Sequence, residues 1–153
     1  MNNAPNMLII DSNNSNRNII KEIFRDEYSF IDAECGADAL AILESQYQCV
    51  TVIVTDISLP DMDGCELIKK ICSEVTFDKI PLVVVTGIND SEKETKVFEN
   101  GASDMIVKPF TPVSIKQRIK NAVSAKKRDT ENLISHKFID SNKIMGFPGG
   151  ATD

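Results

Sequence analysis

A chain of 153 residues with 42% hydrophobic content can bury one substantial core and is too short for two. A formal charge of -6 and a pI near 4.8 argue against broad electrostatic binding to nucleic acid. No apolar run approaches the roughly 20 residues that span a bilayer, and no N-terminal segment joins a basic start to an apolar stretch, so the expectation is a soluble, cytoplasmic protein with neither membrane nor nucleic-acid partners.

Short apolar runs alternate with amphipathic stretches up to about residue 125, which predicts strands covered by helices. The run Met7 to Ile10 ends at Asp11. Ile19, Ile20, Ile23 and Phe24 then share a helical face, with Arg17, Lys21, Glu22 and Arg25 outside it. Phe30 to Cys35 is a weaker edge strand, and Leu40 with Leu43 marks the second helix. Cys49 to Thr55 is a strand ending at Asp56, followed by a helix through Leu67, Ile68 and Ile71. Pro81 to Val85 ends at Thr86-Gly87, and Ser91 with Glu94 makes a capping box for the fourth helix. Met105 to Val107 ends at Lys108-Pro109. After it, Ile115, Ile119, Ala122 and Val123 recur at helical spacing behind Pro112, which suits a first turn. Uninterrupted apolar runs of this kind predict parallel strands buried on both faces.

Beyond Ala125 the composition turns polar and charged, beginning with Lys126-Lys127-Arg128. The expected organisation is one unit over residues 6–125 and a C-terminal tail over 126–153, either disordered or forming one short docking helix through Leu133, Ile134, Phe138, Ile139, Ile144, Met145 and Phe147. Cys35, Cys49, Cys65 and Cys72 form no CxxC pair, and the single imidazole is His136, so they read as reduced core thiols. Asp61 and Asp63 are expected to face solvent.

Ligands of open α/β sheets bind beyond the carboxyl ends of the strands. Asp11, Asp56, Thr86 and Lys108 all stand at such ends and should meet in one crevice. Carboxylate oxygens suit a hard cation such as Mg2+, which commonly pairs one or two carboxylates with phosphate oxygens. Ammonium and hydroxyl groups suit the phosphate itself. Nothing resembles a GxSxG or Walker loop, so an independent hydrolase has no visible machinery.

On its motifs the chain resembles the response regulator receiver family over roughly residues 6 to 125. Those motifs are Leu8-Ile9-Ile10-Asp11 with Arg17, Val52 to Pro60 followed by Met62-Asp63-Gly64, Val83-Val84-Val85-Thr86-Gly87, and Gly101-Ala102-Ser103-Asp104 through Lys108-Pro109-Phe110. The resemblance implies a flavodoxin-like α/β fold, a doubly wound parallel sheet in the order 2-1-3-4-5 with helices on both faces. It further implies two-component signalling: Asp56 accepts a phosphoryl group from a sensor histidine kinase or phosphotransfer protein. Binding to an output protein, or to a second copy as a homodimer, is then switched. Apart from autocatalytic transfer to and from its own Asp56, no enzymatic activity is implied. Carried over by resemblance, Asp11 and Asp56 hold Mg2+ together with the backbone carbonyl of Ser58, while Thr86, the backbone of Gly87 and Lys108 hold the phosphoryl oxygens.

Two positions depart from the family pattern. Ser12 stands where the family usually has a second acid that ligates metal directly, which implies a weak Mg2+ site. Met105 replaces the usual tyrosine or phenylalanine that swings inward with the threonine, and a flexible methionine fills either pocket. Both changes keep open an alternative reading, a degenerate receiver acting as a phosphorylation-independent protein-binding module.

Overall fold

The computed structural model describes residues 5–88 and 90–144, with side chains up to residue 131. Strands β1 (Asn6–Ile10), β2 (Ser29–Ala33), β3 (Val50–Thr55), β4 (Leu82–Thr86) and β5 (Asp104–Val107) form one parallel five-stranded sheet in the order β2-β1-β3-β4-β5. The helices are α1 (Asn14–Phe24), α2 (Gly36–Gln46), α3 (Gly64–Cys72), α4 (Ser91–Glu99) and α5 (Pro112–Ile144). This is the expected flavodoxin-like order. None of the described helices is long and apolar enough to cross a membrane.

Alternation along the strands divides the core into two layers. Leu8, Ile10, Ile53, Leu82, Val84 and Met105 point into one, with Ala39 and Leu43 of α2, Leu67, Ile68 and Ile71 of α3 and Val97 of α4. Met7, Ile9, Val52, Val54, Val83, Val85 and Ile106 point into the other, with Ile20 and Phe24 of α1 and Ile115, Ile119 and Ala122 of α5. Both faces of the central strands are therefore dry, and each large side chain buried in them contributes about 1.5–3 kcal/mol by leaving water.

Several local expectations shift. On α1 the buried stripe is Arg17, Ile20 and Phe24, whereas Ile19 is 53% exposed. The spacing i, i+3, i+7 had room for a charged first member because Arg17 finds partners for its guanidinium. The capping residue of α4 is Asp90, whose carboxylate accepts the Glu92 N–H at 2.9 Å, and Ser91 is already the first helical residue. Cys49 belongs to a 3-10 turn and is exposed, with β3 starting at Val50; of the free cysteines described, Cys65 alone is buried.

Helix α5 opens with Pro112 at its first position, where a missing N–H costs nothing, and the Thr111 hydroxyl accepts the Ser114 N–H at 3.1 Å. It then continues for 33 residues, so the expected boundary at residue 125 falls inside a helix. Met145 and Phe147 lie outside the described residues, as do the side chains of Leu133, Ile134, Phe138, Ile139 and Ile144.

Candidate functional site

The chain leaves β1 toward β2 on one side and β3 toward β4 on the other, so the strand order reverses between β1 and β3. Helices cannot close over such a switch point, and a crevice remains at the carboxyl ends of the two strands. Asp11 follows β1 and Asp56 follows β3. The Asp11 N–H donates to the Ala33 carbonyl and the Asp56 N–H to the Ile10 carbonyl, each at 3.0 Å, so the ladder itself aims both residues. Lys108 follows β5, held by its N–H on the Thr86 carbonyl at 2.8 Å.

Asp11, Asp56 and Lys108 line one cavity together with Asn16, Ile20 and Phe110. Its volume of about 70 Å³ is far below the roughly 300–1,000 Å³ of pockets that enclose a small-molecule ligand. Ile9, Ile10, Ile19, Val54, Thr55 and Val85 complete its lining, so most of the wall is apolar and the space is too small for a metabolite.

Burial pushes the Asp56 carboxyl above its ordinary 3.8, and the charge of Asp11 adds to the rise; the Ile57 and Ser58 N–H groups and the Lys108 ammonium oppose it. A dication between these carboxylates would relieve both burdens. The donor set fits Mg2+, which takes few carboxylates and keeps water in its remaining positions. It is a thin set: among the described residues no three His, Cys, Asp or Glu side chains gather as metal ligands. Asn13 and Asn14 add nothing to it, since the Asn13 amide oxygen caps α1 on the Asn16 N–H and that of Asn14 accepts from Arg17, both at 3.0 Å.

The other expected site residues, Thr86, Gly87, Ser58 and Ser12, do not line this cavity. Thr86 is 1% exposed, and its hydroxyl accepts the Ile88 N–H at 3.2 Å. Gly87 and Ser58 are exposed, and Ser58 pairs with Asp63 in an isolated antiparallel bridge. Ser12 is exposed at the mouth of the β1–α1 turn. Met105 is 6% exposed and packs in the layer shared with α2, α3 and α4, while its carbonyl accepts from Arg118 at 3.1 Å.

Three features escaped the sequence reading. Asn16 and Phe110 line the cavity, and only the helical position next to Arg17 and the adjacency to Lys108-Pro109 pointed to them. Arg17 bridges the site to the sheet edge: its guanidinium donates to the Asp11 carbonyl, to Asp32 on β2 at 3.0 Å and to Asn14. Asp61 and Asp63 are exposed as expected, yet both carboxylates are engaged. Asp63 caps α3 by accepting the Cys65 N–H at 3.0 Å, a role legible in the Asp63-Gly64-Cys65-Glu66 capping pattern. Asp61 accepts the N–H groups of Gly36 and Ala37 at 2.8 and 2.9 Å, which lowers its pKa, the Ala37 bond first.

Comparison with known proteins follows the same outline. The family model described as response regulator receiver domain matches residues 7–120. Chemotaxis protein CheY1 of Helicobacter pylori is 31% identical over 115 residues, which are 74% of this chain and 92% of that protein. The two-component response regulator ORR5 of rice, Oryza sativa, is 33% identical over 113 residues, 73% of this chain and 84% of its own. Among solved structures, a CheY-like response regulator receiver domain protein from Methanospirillum hungatei superposes with a TM-score of 0.75 at 25% identity, covering 82% of this chain and 98% of that one.

Proposed function

This chain belongs to the response regulator receiver domain family, and from that premise we propose that it is a phosphoryl-switched signalling module whose acceptor is Asp56. The observation that carries the reading is the meeting of Asp11, Asp56 and Lys108 around one small crevice at the β1/β3 switch point. In the proposed reaction an Asp56 carboxylate oxygen attacks the phosphorus of a phosphohistidine on a sensor kinase or phosphotransfer protein. The P–N bond breaks, its electrons return to the imidazole, and an acyl phosphate forms on Asp56. Lys108 pairs with the phosphoryl oxygens and offsets charge that Asp56 and Asp11 would otherwise repel. Asp11, Asp56 and the Ser58 carbonyl would hold Mg2+, which when bound would supply further positive charge against the carboxylate and phosphoryl oxygens.

The Thr86 hydroxyl accepts the Ile88 N–H and keeps its own hydrogen to donate to a phosphoryl oxygen, with the Gly87 backbone beside it. A shift of Thr86 toward that oxygen would draw on the Ile88 contact, linking occupancy of the crevice to the β4–α4 segment and so to the surface an output protein meets. The reading places the protein in the cytoplasm with its kinase. Residues 126–153 would lie beyond the receiver unit proper.

Ser12 favours a second reading, a binding module that keeps the fold without efficient chemistry. Incubation with a small-molecule acyl phosphate and Mg2+, followed by intact mass, separates the two. One phosphoryl increment supports the acceptor reading; an unmodified mass at saturating donor and Mg2+ supports the binding module.

A further inference from the structure

The loop from β3 to α3 carries Ser58, whose carbonyl the proposed function gives to the metal, and it is pinned in an uncommon way. The Ser58–Asp63 bridge closes it on itself, and the Gly64 N–H donates to the Ile57 carbonyl at 3.0 Å. Glycine is required there: a Cβ at Gly64 would lie 2.3 Å from the Ile57 carbonyl oxygen. These bonds fix the loop's shape, and packing of Ile57, Leu59 and Met62 seats it on the core, while its attitude to α2 is set by a further contact.

Asp61 supplies that attitude. Its Oδ1 accepts the Gly36 N–H and its Oδ2 the Ala37 N–H, the first two amides of α2. Those amides have no partner within their own helix, and the positive end of the helix favours a carboxylate. The local cap is poor: Cys35 offers only sulfur, at 3.5 Å from the Asp38 N. The carboxylate therefore serves as a cap delivered from another element, and the two-point contact prevents rotation as well as separation. Met62 seats beside it in the space above Gly36, where a Cβ would come within 2.6 Å of the Met62 sulfur.

Resting on the acceptor reading, we infer that Asp61 is a positioning residue for the phosphoacceptor site: it ties the Ser58 segment to α2 and so holds the metal-ligand carbonyl in place beside Asp56. Its carboxylate is engaged by the two α2 amides and does not line the crevice. Residues that orient a ligand from behind typically alter metal affinity by 10–100-fold when lost, and a tether acting through the backbone belongs near the lower end.

The test is Mg2+ titration by calorimetry on the full chain, with the melting temperature read separately without metal. Asp61→Ala should weaken Mg2+ binding about tenfold, and slow phosphorylation by an acyl phosphate at low Mg2+ while leaving the rate at saturating Mg2+ near wild type. Asp61→Asn keeps an acceptor oxygen and should fall between. Ala37→Pro removes one donor from the opposite side, at the second position of α2 where the N–H has no partner within the helix, and should weaken Mg2+ in the same direction. Unchanged Mg2+ affinity in Asp61→Asn and Ala37→Pro would overturn the inference, whatever happens to the melting temperature, and leave Asp61 as a cap of α2. If the wild-type protein takes up Mg2+ but no phosphoryl group, the acceptor reading fails while the titration still decides the role of Asp61. If it takes up neither, both are overturned.

Discussion

Asp56 and Asp11 face one crevice from adjacent strand ends, and Asp56, already burdened by burial, is raised further in pKa by the charge of Asp11. A carboxyl whose folded pKa exceeds its unfolded value costs stability when ionised. That cost is absent below the ordinary value of 3.8, develops as pH rises through the raised folded value, and is fully present at neutral pH.

Asp56→Asn should therefore remove the phosphoryl mass increment and also stabilise the metal-free fold at neutral pH. Thermal melts at pH 7 and below pH 4 measure the sign, since the advantage should vanish in acid. An equal advantage at both pH values would show that ionisation of Asp56 is not its source. A phosphoryl increment that persists would reassign the acceptor.

Ser12→Asp adds a third carboxylate next to Asp11 and Asp56. Each unit charge a few Å from a dication is worth on the order of 1–4 kcal/mol at surface-like dielectrics. After desolvation and ordering of the new side chain, Mg2+ binding should tighten by about tenfold, since 1.4 kcal/mol is a factor of ten. Without metal the same variant should melt lower, because clustered carboxylates repel. Mg2+ titration of both proteins checks this, and equal affinities would mean that water or backbone already completes the site.

Arg17 is 5% exposed and satisfies a carbonyl of the site and a carboxylate of the edge strand at once. Arg17→Ala strands both and should cost about 2–3 kcal/mol in urea unfolding, in the range for hydrogen bonds to charged groups. Asp32→Asn should cost less than about 1 kcal/mol, since Asp32 is 33% exposed and solvent screens it. Equal losses in the two variants would indicate that the ion pair, not the Asp11 carbonyl, is what Arg17 serves.

Removing the residues after Glu131 should leave the melting temperature within about 2 °C of wild type, because termini tolerate loss unless docked. The last buried residue described on α5 is Ala122, with half-buried positions at residues 123–126 and at Thr130 and exposed ones between. A larger drop would mean that the end of α5 packs on the domain.

The strand ends were legible because four apolar runs stop on polar residues, and a buried strand announces itself by composition alone. Asp11, Asp56 and Lys108 followed from that and from the sheet order. Arg17 was hidden because periodicity sorts residues by polarity, whereas its burial depends on Asp32 and on the Asp11 carbonyl, which lie in other elements. Asp61 was hidden for the same reason: its partners are backbone amides of α2, and a main-chain donor leaves no mark in the sequence of the acceptor. Asp90 in place of Ser91 as cap of α4 is a choice between neighbours that both suit the role, decided by backbone geometry.

The unbroken course of α5 has a mechanical side. At 1.5 Å per residue, the stretch from Ala122, the last buried residue described on it, to Ile144 reaches about 33 Å. A rocking of about 5° at its seat would sweep the far end of a straight helix of this length through roughly 3 Å. Its root packs against β3, β4 and β5, whose ends lead into Asp56, Thr86 and Lys108, so a displacement of those strand ends would reach the helix at its seat.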